Sequence, residues 1–139
     1  FVFTINQLVK YPHAENIEKQ VECFDGNVIW INTSYMLHSR NVEKIELIPY
    51  PENPEYCSLR LKLDRRGKLL WMQSSIGLTQ KVALLVDGIC YRVFKAKNMD
   101  ENTDWVVIDG PFNKYLSKGL VFYAESNYKF FNPPMTSLF

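Results

Sequence analysis

The side chains that could carry chemistry are few and widely separated along this sequence. Nucleophilic catalysis needs a base beside a serine, cysteine or threonine, and only His13 and His38 could supply an imidazole. Both lie in polar, loop-like stretches, and no G-x-S-x-G motif accompanies them. Cys23 and His38 could form a nucleophile and base, but nothing else in the sequence supports that pair. The sequence therefore predicts a protein that is not an enzyme.

The cysteines have the spacing of neither a redox motif nor a zinc site. Cys23, Cys57 and Cys90 leave at least one thiol unpaired, and no two of them form a C-x-x-C pair. In an oxidising compartment one disulfide can form, in any of three pairings. The alternative is that all three are small buried hydrophobic residues.

Motifs for metals, phosphates and nucleic acids are also missing. Asp100, Glu101 and Asp104 suggest calcium, but the D-x-D-x-D-G loop with its terminal glutamate is absent. The sequence has no G-x-G-x-x-G or G-K-[ST] pattern, and its net charge of +1 gives no basic field for nucleic acid. Residues 91–94 are too few for the aromatic and basic pattern of an RNA-binding sheet. No cofactor, metal or nucleic acid is expected.

The elements that position these side chains are centred on residues 57–94. Leu59, Leu61 and Leu63 alternate with polar residues, which is the period-2 pattern of a half-buried strand. Asp64 then stands where a helix N-cap belongs, because its carboxylate can accept the free backbone N–H groups of the first turn. The helix that follows is predicted to end near Gly77. Its apolar face comprises Leu69, Met72 and Ile76, with Leu70 and Trp71 beside them.

A hairpin follows that helix. Val82–Val86 is apolar throughout, as a central strand requires, and Ile89–Phe94 returns as its partner. Asp87-Gly88 between them is the signal of a two-residue type I′ turn. Asp64 and Asp87 thus have structural roles as cap and turn, and we assign neither to acid–base catalysis.

The flanking segments follow from the same rules. Asp25-Gly26 predicts an earlier hairpin, and residues 105–108 a strand. Pro111 is expected to open an amphipathic helix, since proline costs no hydrogen bond at the first helical position. Residues 127–139 are predicted to be coil. Residues 1–5 fit an edge strand, an extended arm or a frayed helix.

Residues 57–94 resemble the head region of P1, the periplasmic first domain of the SecD subunit of the bacterial protein-export machinery. In that head a strand ends in an L-D-x-x-G step into a helix, and a later strand carries A-x-x-L/V-D-G before the chain turns back. The matching residues are Leu63, Asp64, Gly67, Ala83, Val86, Asp87 and Gly88. The resemblance covers residues 41–127 and rests on structural motifs, so it implies a fold more directly than an activity.

We therefore predict an α+β fold, with a mainly antiparallel sheet, two helices on one face and the order β-β-α-β-β-β-α over residues 41–127. Residues 1–40, an N-terminal arm and hairpin, would extend that sheet or lie beside it, and residues 128–139 form a C-terminal tail. At 139 residues the chain is expected to be a single domain. The structural cap and turn residues are Asp64, Gly67, Asp25 and Gly26.

The resemblance also implies a function, because SecD-type heads engage extended, translocating polypeptide. We expect a non-enzymatic module that binds a protein or unfolded polypeptide. No stretch approaches the roughly 20 apolar residues of a membrane span, and the chain begins at Phe1. We therefore expect a removed leader and an extracytoplasmic location, either periplasmic, secreted or lipid-anchored. The predicted partner-binding edge comprises Lys81, Asp87, Gly88, Tyr91, Arg92 and Phe94.

Two alternatives come from other functional classes. Aromatic residues make up 14% of the chain, so a small-molecule or cell-envelope ligand could occupy an aromatic pocket between sheet and helices. A structural accessory subunit could instead use its aromatic tail, residues 130–139, to complete another chain. The sequence specifies neither the partner, nor the oligomeric state, nor the pairing of the thiols, nor whether the chain is complete.

Overall fold

The computed structural model of the chain describes residues 1–9, 17–75 and 81–134. These residues form two antiparallel sheets and two α-helices, and the order from residue 42 onward is β-β-α-β-β-β-α. The α+β class is therefore confirmed. His13, Ile76 and Gly77, for which the sequence predicts roles, lie outside the described residues.

The chain alternates short strands with two helices. In order, the elements are β1 (Phe3–Leu8), β2 (Glu18–Glu22), β3 (Val28–His38), β4 (Val42–Pro49), β5 (Tyr56–Leu63), α1 (Arg65–Ser75), β6 (Val82–Val86), β7 (Ile89–Phe94), β8 (Trp105–Asn113) and α2 (Lys114–Phe131). A 3-10 turn, Ser39–Asn41, joins β3 to β4.

One sheet has five strands in the order β2-β3-β1-β6-β7. The sequence predicts an edge strand, an arm or a helix for residues 1–5, but β1 lies in the middle of this sheet. Thr4 is paired with His38 of β3 on one side and with Leu85 of β6 on the other. A central position suits β1 because Phe3 and Ile5 are buried in the main core.

The five-stranded sheet curls until its two outer strands approach each other. Cys23, which follows β2, forms a parallel bridge with Cys90 of β7. The N–H of Phe24 donates to the carbonyl oxygen of Cys90 at 3.0 Å. Inside the curl lies a small core of Val21, Ile31, Ala83, Leu85 and Cys90.

The other sheet has three strands in the order β4-β5-β8. The predicted single sheet over residues 41–127 is thus divided in two, because β6 is buried at all five positions and needs cover on both faces. In the five-stranded sheet β1 and β7 pair with the two edges of β6. One face of β6 meets the main core and the other meets the small core. The helices also lie apart, with α2 packed mainly against β4 and α1 mainly against β3.

The predicted cap and turns are confirmed. The Asp64 carboxylate accepts a hydrogen bond from the N–H of Gly67 at 2.8 Å, at the start of α1. Asp87 and Gly88 have φ values of 51° and 86°, and positive values at both positions define a type I′ turn. Gly26 has a φ of 89° in the turn between β2 and β3.

The predicted apolar face of α1 and the predicted start of α2 were wrong. In α1 Leu69 is 51% exposed, whereas Trp71 is buried at 2% exposure. β8 continues through Pro111, and α2 begins at Lys114. Proline fits there because β8 is an outer strand, so its missing N–H removes no hydrogen bond from the interior of the sheet.

The C-terminal boundary also differs from the prediction. Residues 127–131, predicted to be coil, continue α2 as far as Phe131. The helix can continue because the first proline of this region is Pro133, two residues beyond the helix end. Within the described residues, neither helix combines the length and the apolar character that a membrane span requires.

Candidate functional site

The two sheets meet beside their outer strands β7 and β8, which residues 95–104 connect. In the described part of the chain, neither strand has another strand on its outer side, apart from the single bridge at Cys90. A cavity of about 360 Å³ lies between them, lined by Arg92 and Phe94 of β7 and by Val107 of β8. Unpaired backbone groups of two strands therefore border the same cavity.

A larger groove of about 510 Å³ adjoins this cavity, and we call it the aromatic groove. Phe24 is 67% exposed and Tyr115 is 84% exposed. Exposed rings gathered in a concave surface provide contact area for a partner. The groove is lined by Phe1, Phe24, Tyr56, Tyr91, Pro111, Phe112, Asn113, Tyr115 and Leu116.

Phe24 and Tyr91 form one wall of the aromatic groove, and the curl of the sheet brings them together. Each ring follows a cysteine of the bridge between Cys23 and Cys90. Tyr91 is also the extra residue of a β-bulge, since the register shifts between the Leu85–Cys90 pair and the next pair. A bulge redirects a side chain. The two rings stack with centroids 5.6 Å apart and planes 6° from parallel.

Phe112 lies at the inner end of the groove, where β8 is irregular. It pairs with Cys57 of β5, and the register shifts before the next pair. Gly110 occupies this irregular segment, and its N–H donates to the Ser58 hydroxyl at 2.9 Å. A Cβ atom at Gly110 would overlap the carbonyl oxygen of Cys57. The path of β8 that places Phe112 therefore depends on a glycine.

The smaller cavity is rich in cations, and we call it the basic cavity. Lys81, Arg92, Lys95 and Lys97 line it together with one carboxylate, that of Asp109. Lys97 and Asp109 form an ion pair of 2.7 Å. The Arg92 guanidinium lies 5.7 Å from the centroid of the Phe112 ring, so this residue connects the basic cavity with the aromatic groove.

The titratable groups outside the groove have structural surroundings. Burial lowers the pKa of His38, and Arg40 lowers it further. His38 accepts the N–H of Arg40 through Nδ1 at 2.9 Å and caps the 3-10 turn. Burial, followed by the neighbouring Cys23, raises the pKa of Cys90 to about 12, so its thiol is protonated at neutral pH. Across the described residues, no group of three or more His, Cys, Asp or Glu side chains is placed to hold a metal ion.

The structure divides the predicted partner-binding edge. Tyr91 lines the aromatic groove, whereas Lys81, Arg92 and Phe94 line the basic cavity. Asp87 and Gly88 belong to the turn at the other end of the hairpin, where Asp87 accepts the N–H of Val2 at 3.1 Å. β6 is paired on both sides, so only β7 offers an edge.

Sequence reasoning missed the residues that other elements contribute to the groove. Phe24 comes from the turn after β2, and Phe112 and Tyr115 come from the junction of β8 and α2. A signal for part of this site was present, since the dipeptides Cys23-Phe24 and Cys90-Tyr91 both place an aromatic residue after a cysteine. Their proximity depends on the bridge between distant strands, which the local sequence does not encode.

The arrangement of two antiparallel sheets and two helices is similar to part of the fold of SecDF. Two solved SecDF structures match over 90% of this chain at 10% sequence identity. One is titled "Structure and function of a membrane component SecDF that enhances protein export" and has a TM-score of 0.61. The other, "Crystal structure of SecDF in Super-membrane-facing form", has a TM-score of 0.62. This likeness confirms the resemblance predicted for residues 41–127, and the match covers 90% of the chain.

The likeness concerns the fold. The chain spans 62% of the first SecDF chain and 18% of the second. No protein-family model matches the chain, and neither does any curated protein. The structural similarity therefore supports a shared architecture, while a binding function has to be argued from the groove itself.

Proposed function

We propose that this chain is a non-enzymatic, extracytoplasmic binding module that holds an extended, unfolded polypeptide along the outer strands β7 and β8. The observation that carries the proposal is the aromatic groove and its position beside two strand edges. The lining of the groove consists of aromatic and aliphatic side chains with one asparagine. Such a surface provides contact area for a partner, and no His, Cys, Lys, Asp or Glu side chain belongs to its described lining.

An extended polypeptide needs a backbone partner and sites for its side chains. β7 supplies the backbone partner, because from Tyr91 to Phe94 its outer side has no strand partner among the described residues. Four residues of strand span about 13 Å, at about 3.3 Å per residue. The rings of Phe24, Tyr91 and Tyr115 supply the sites for side chains, and they can contact apolar side chains with little sequence specificity.

The comparison with SecDF supports the proposal from a separate direction. SecDF is described as a membrane component that enhances protein export, and a polypeptide in transit is extended and unfolded. A SecD-like fold is also consistent with an extracytoplasmic location. We extend these properties to the present chain because its exposed groove fits the same kind of partner.

The test is a titration of labelled, permanently unfolded polypeptides, followed by fluorescence anisotropy, with a folded protein as a negative control. We expect saturable binding to the unfolded chains alone. Phe24→Ala and Tyr91→Ala should each weaken the affinity by about tenfold, since aromatic residues at the centre of a binding surface carry much of the binding energy. Phe122→Ala is the matched control, because Phe122 is 77% exposed on α2 and does not line the groove.

Two results would contradict the proposal. The first is an absence of binding up to high micromolar protein. The second is an equal loss of affinity in all three variants, which would show that the aromatic groove is not the binding surface. Circular dichroism of each variant verifies that the fold is retained.

A small-molecule or cell-envelope ligand is the second candidate, and the volume of the groove favours it. About 510 Å³ lies within the range of about 300–1,000 Å³ that is typical of ligand pockets. An apolar ligand that displaces the unfolded polypeptide, or that binds when the polypeptide does not, would support this candidate. Native mass spectrometry of the protein incubated with a lipid extract provides the measurement.

An accessory structural role is the third candidate. Phe122 and Phe130 are each 77% exposed on α2, and an apolar helix face can pair with another chain. A mass that rises with concentration in sedimentation equilibrium would support this role. A constant monomer mass would leave the groove as the binding surface.

A further inference from the structure

Arg92 lies at the junction of the two sheets and forms no ion pair with any of the described residues. Its guanidinium lies over the ring of Phe112, 5.7 Å from the centroid. Its Nε atom is buried and has no hydrogen-bond partner in the described part of the chain. A guanidinium N–H group donates hydrogen bonds and cannot accept them, so Nε needs an acceptor as its partner. A buried donor without an acceptor is unfavourable and marks a position where a partner group would be stabilised.

A comparison with Arg60 shows that Arg92 lacks an acidic partner among the described residues. The Arg60 guanidinium also covers an aromatic ring, that of Trp105 at 4.0 Å. Arg60 nevertheless forms an ion pair with Glu46 at 3.1 Å. Among the described residues, no carboxylate occupies the corresponding position beside Arg92.

The surroundings of Arg92 add to its positive charge. Lys81, Lys95 and Lys97 line the same basic cavity. The one carboxylate in that lining belongs to Asp109, which is already paired with Lys97. The remaining cations therefore favour a negatively charged group that enters from outside the chain.

We propose that the basic cavity binds a carboxylate of the bound polypeptide, held by Arg92. This inference rests on the proposed function and specifies its partner: an extended segment that has an acidic group close to apolar or aromatic residues. The apolar residues would lie in the aromatic groove, and the carboxylate would accept hydrogen bonds from the guanidinium, including Nε. Arginine suits this role because its planar donors match both oxygens of a carboxylate.

The test uses three fluorescent peptides of one unfolded, aromatic-containing sequence. The first has a single internal glutamate and an amidated C-terminus, and the second has glutamine at that position. The third has the glutamine but a free C-terminal carboxylate. We expect the wild type to bind the glutamate peptide about tenfold more tightly than the amidated glutamine peptide. Tighter binding of the third peptide would instead identify the chain terminus as the source of the carboxylate.

Three protein variants locate the carboxylate site. Arg92→Gln should remove the preference for the acidic peptide, and Arg92→Lys should retain part of it, since lysine keeps the charge but loses the paired donors. Arg60→Gln is the matched control and should leave the preference unchanged. The preference should also fall as salt is raised, because salt screens the attraction between partly exposed charges.

A second measurement does not depend on polypeptide binding. The Nε–Hε resonance of Arg92, identified by its absence in Arg92→Lys, is followed by NMR during titration with acetate and with acetamide. We expect a saturable shift with acetate alone, and no comparable shift of the Arg60 resonance.

The possible failures are distinguishable. Equal binding of all three peptides by the wild type would overturn the role of Arg92 and leave the proposed function intact. A preference that persists in Arg92→Gln would do the same. If no peptide binds, the proposed function fails, and the acetate titration then decides whether Arg92 binds a carboxylate at all.

Discussion

Asp64 connects the two helices, and its removal should destabilise the fold by a predictable amount. One carboxylate oxygen accepts the N–H of Gly67 at 2.8 Å and caps α1. The other accepts the hydroxyl of Tyr128, in α2, at 3.1 Å. The side chain is half-buried, so solvent replaces these bonds only in part when the carboxylate is lost. Asp64→Ala therefore removes two interactions, whereas Tyr128→Phe removes only the second.

The magnitude follows from these two bonds. Loss of an N-cap side chain costs about 1 kcal/mol, and a hydrogen bond to a charged acceptor contributes about 1.5 kcal/mol. We expect Asp64→Ala to lower the free energy of unfolding by about 2.5 kcal/mol, and Tyr128→Phe to lower it by about 1.5 kcal/mol. The bond between Asp64 and Tyr128 is lost only once in the double variant, so that variant should lose about 2.5 kcal/mol and the coupling energy should be about 1.5 kcal/mol in magnitude.

Urea unfolding of the four proteins, followed by tryptophan fluorescence, measures these differences. Asp104→Ala is a suitable control, because the Asp104 side chain is 57% exposed and its ion pair with Lys68 is 3.5 Å long. A surface pair of this kind contributes at most about 0.5–1 kcal/mol. A loss below about 0.5 kcal/mol for Asp64→Ala, or strictly additive losses in the cycle, would refute the reasoning.

Three further predictions concern a buried histidine, the thiol pair and a glycine. The pKa of His38 is lowered by burial and by Arg40 from its ordinary value of 6.5, so below that pH the unfolded chain binds more protons than the folded one. Wild type should thus lose stability relative to His38→Gln as the pH falls from about 7 to about 5; parallel urea stabilities at each pH would contradict this. Mild oxidation with a small disulfide reagent should form a disulfide bond between Cys23 and Cys90, because the β-bridge between these residues holds their backbones close together. Peptide mapping should then find Cys57 as the remaining thiol, and a disulfide that includes Cys57 would refute the pairing. Gly110→Ala should cost about 3 kcal/mol in urea unfolding, since the new Cβ would overlap backbone atoms, whereas an unchanged midpoint would show that β8 can shift freely.

The parts of the fold that could be predicted are those encoded by neighbouring residues. The alternation of Leu59, Leu61 and Leu63, the cap at Asp64 and the turn at Asp87 are local signals, and each determines the structure of its own segment. The position of β1 could not be predicted in this way. Residues 1–5 contain no pattern that distinguishes an edge from a central strand, because their partners, β3 and β6, are distant in sequence.

The residues of the candidate site also divide into those that local sequence predicts and those that depend on distant segments. Tyr91, Arg92 and Phe94 could be named because they belong to one hairpin with a recognisable turn. Phe24 and Phe112 come from segments that only the curled sheet and the irregular part of β8 bring beside that hairpin. The lack of a described carboxylate beside Arg92 could not be predicted either, since it depends on which acidic residues lie nearby in three dimensions.

The central position of β1 also determines the order in which this protein can fold. Phe3 pairs with Val86, so β1 can pair with its second neighbour only after the residues as far as β6 have been synthesised. The hairpins β2-β3 and β6-β7 can form from nearby residues, but apart from the bridge between Cys23 and Cys90 they are joined only through β1 within the described sheet. Non-local pairing of this kind slows folding because a large loop must close before the contacts form. β1 thus joins the two hairpins late in folding. Until it is in place, the edges of β3 and β6 that pair with it are exposed.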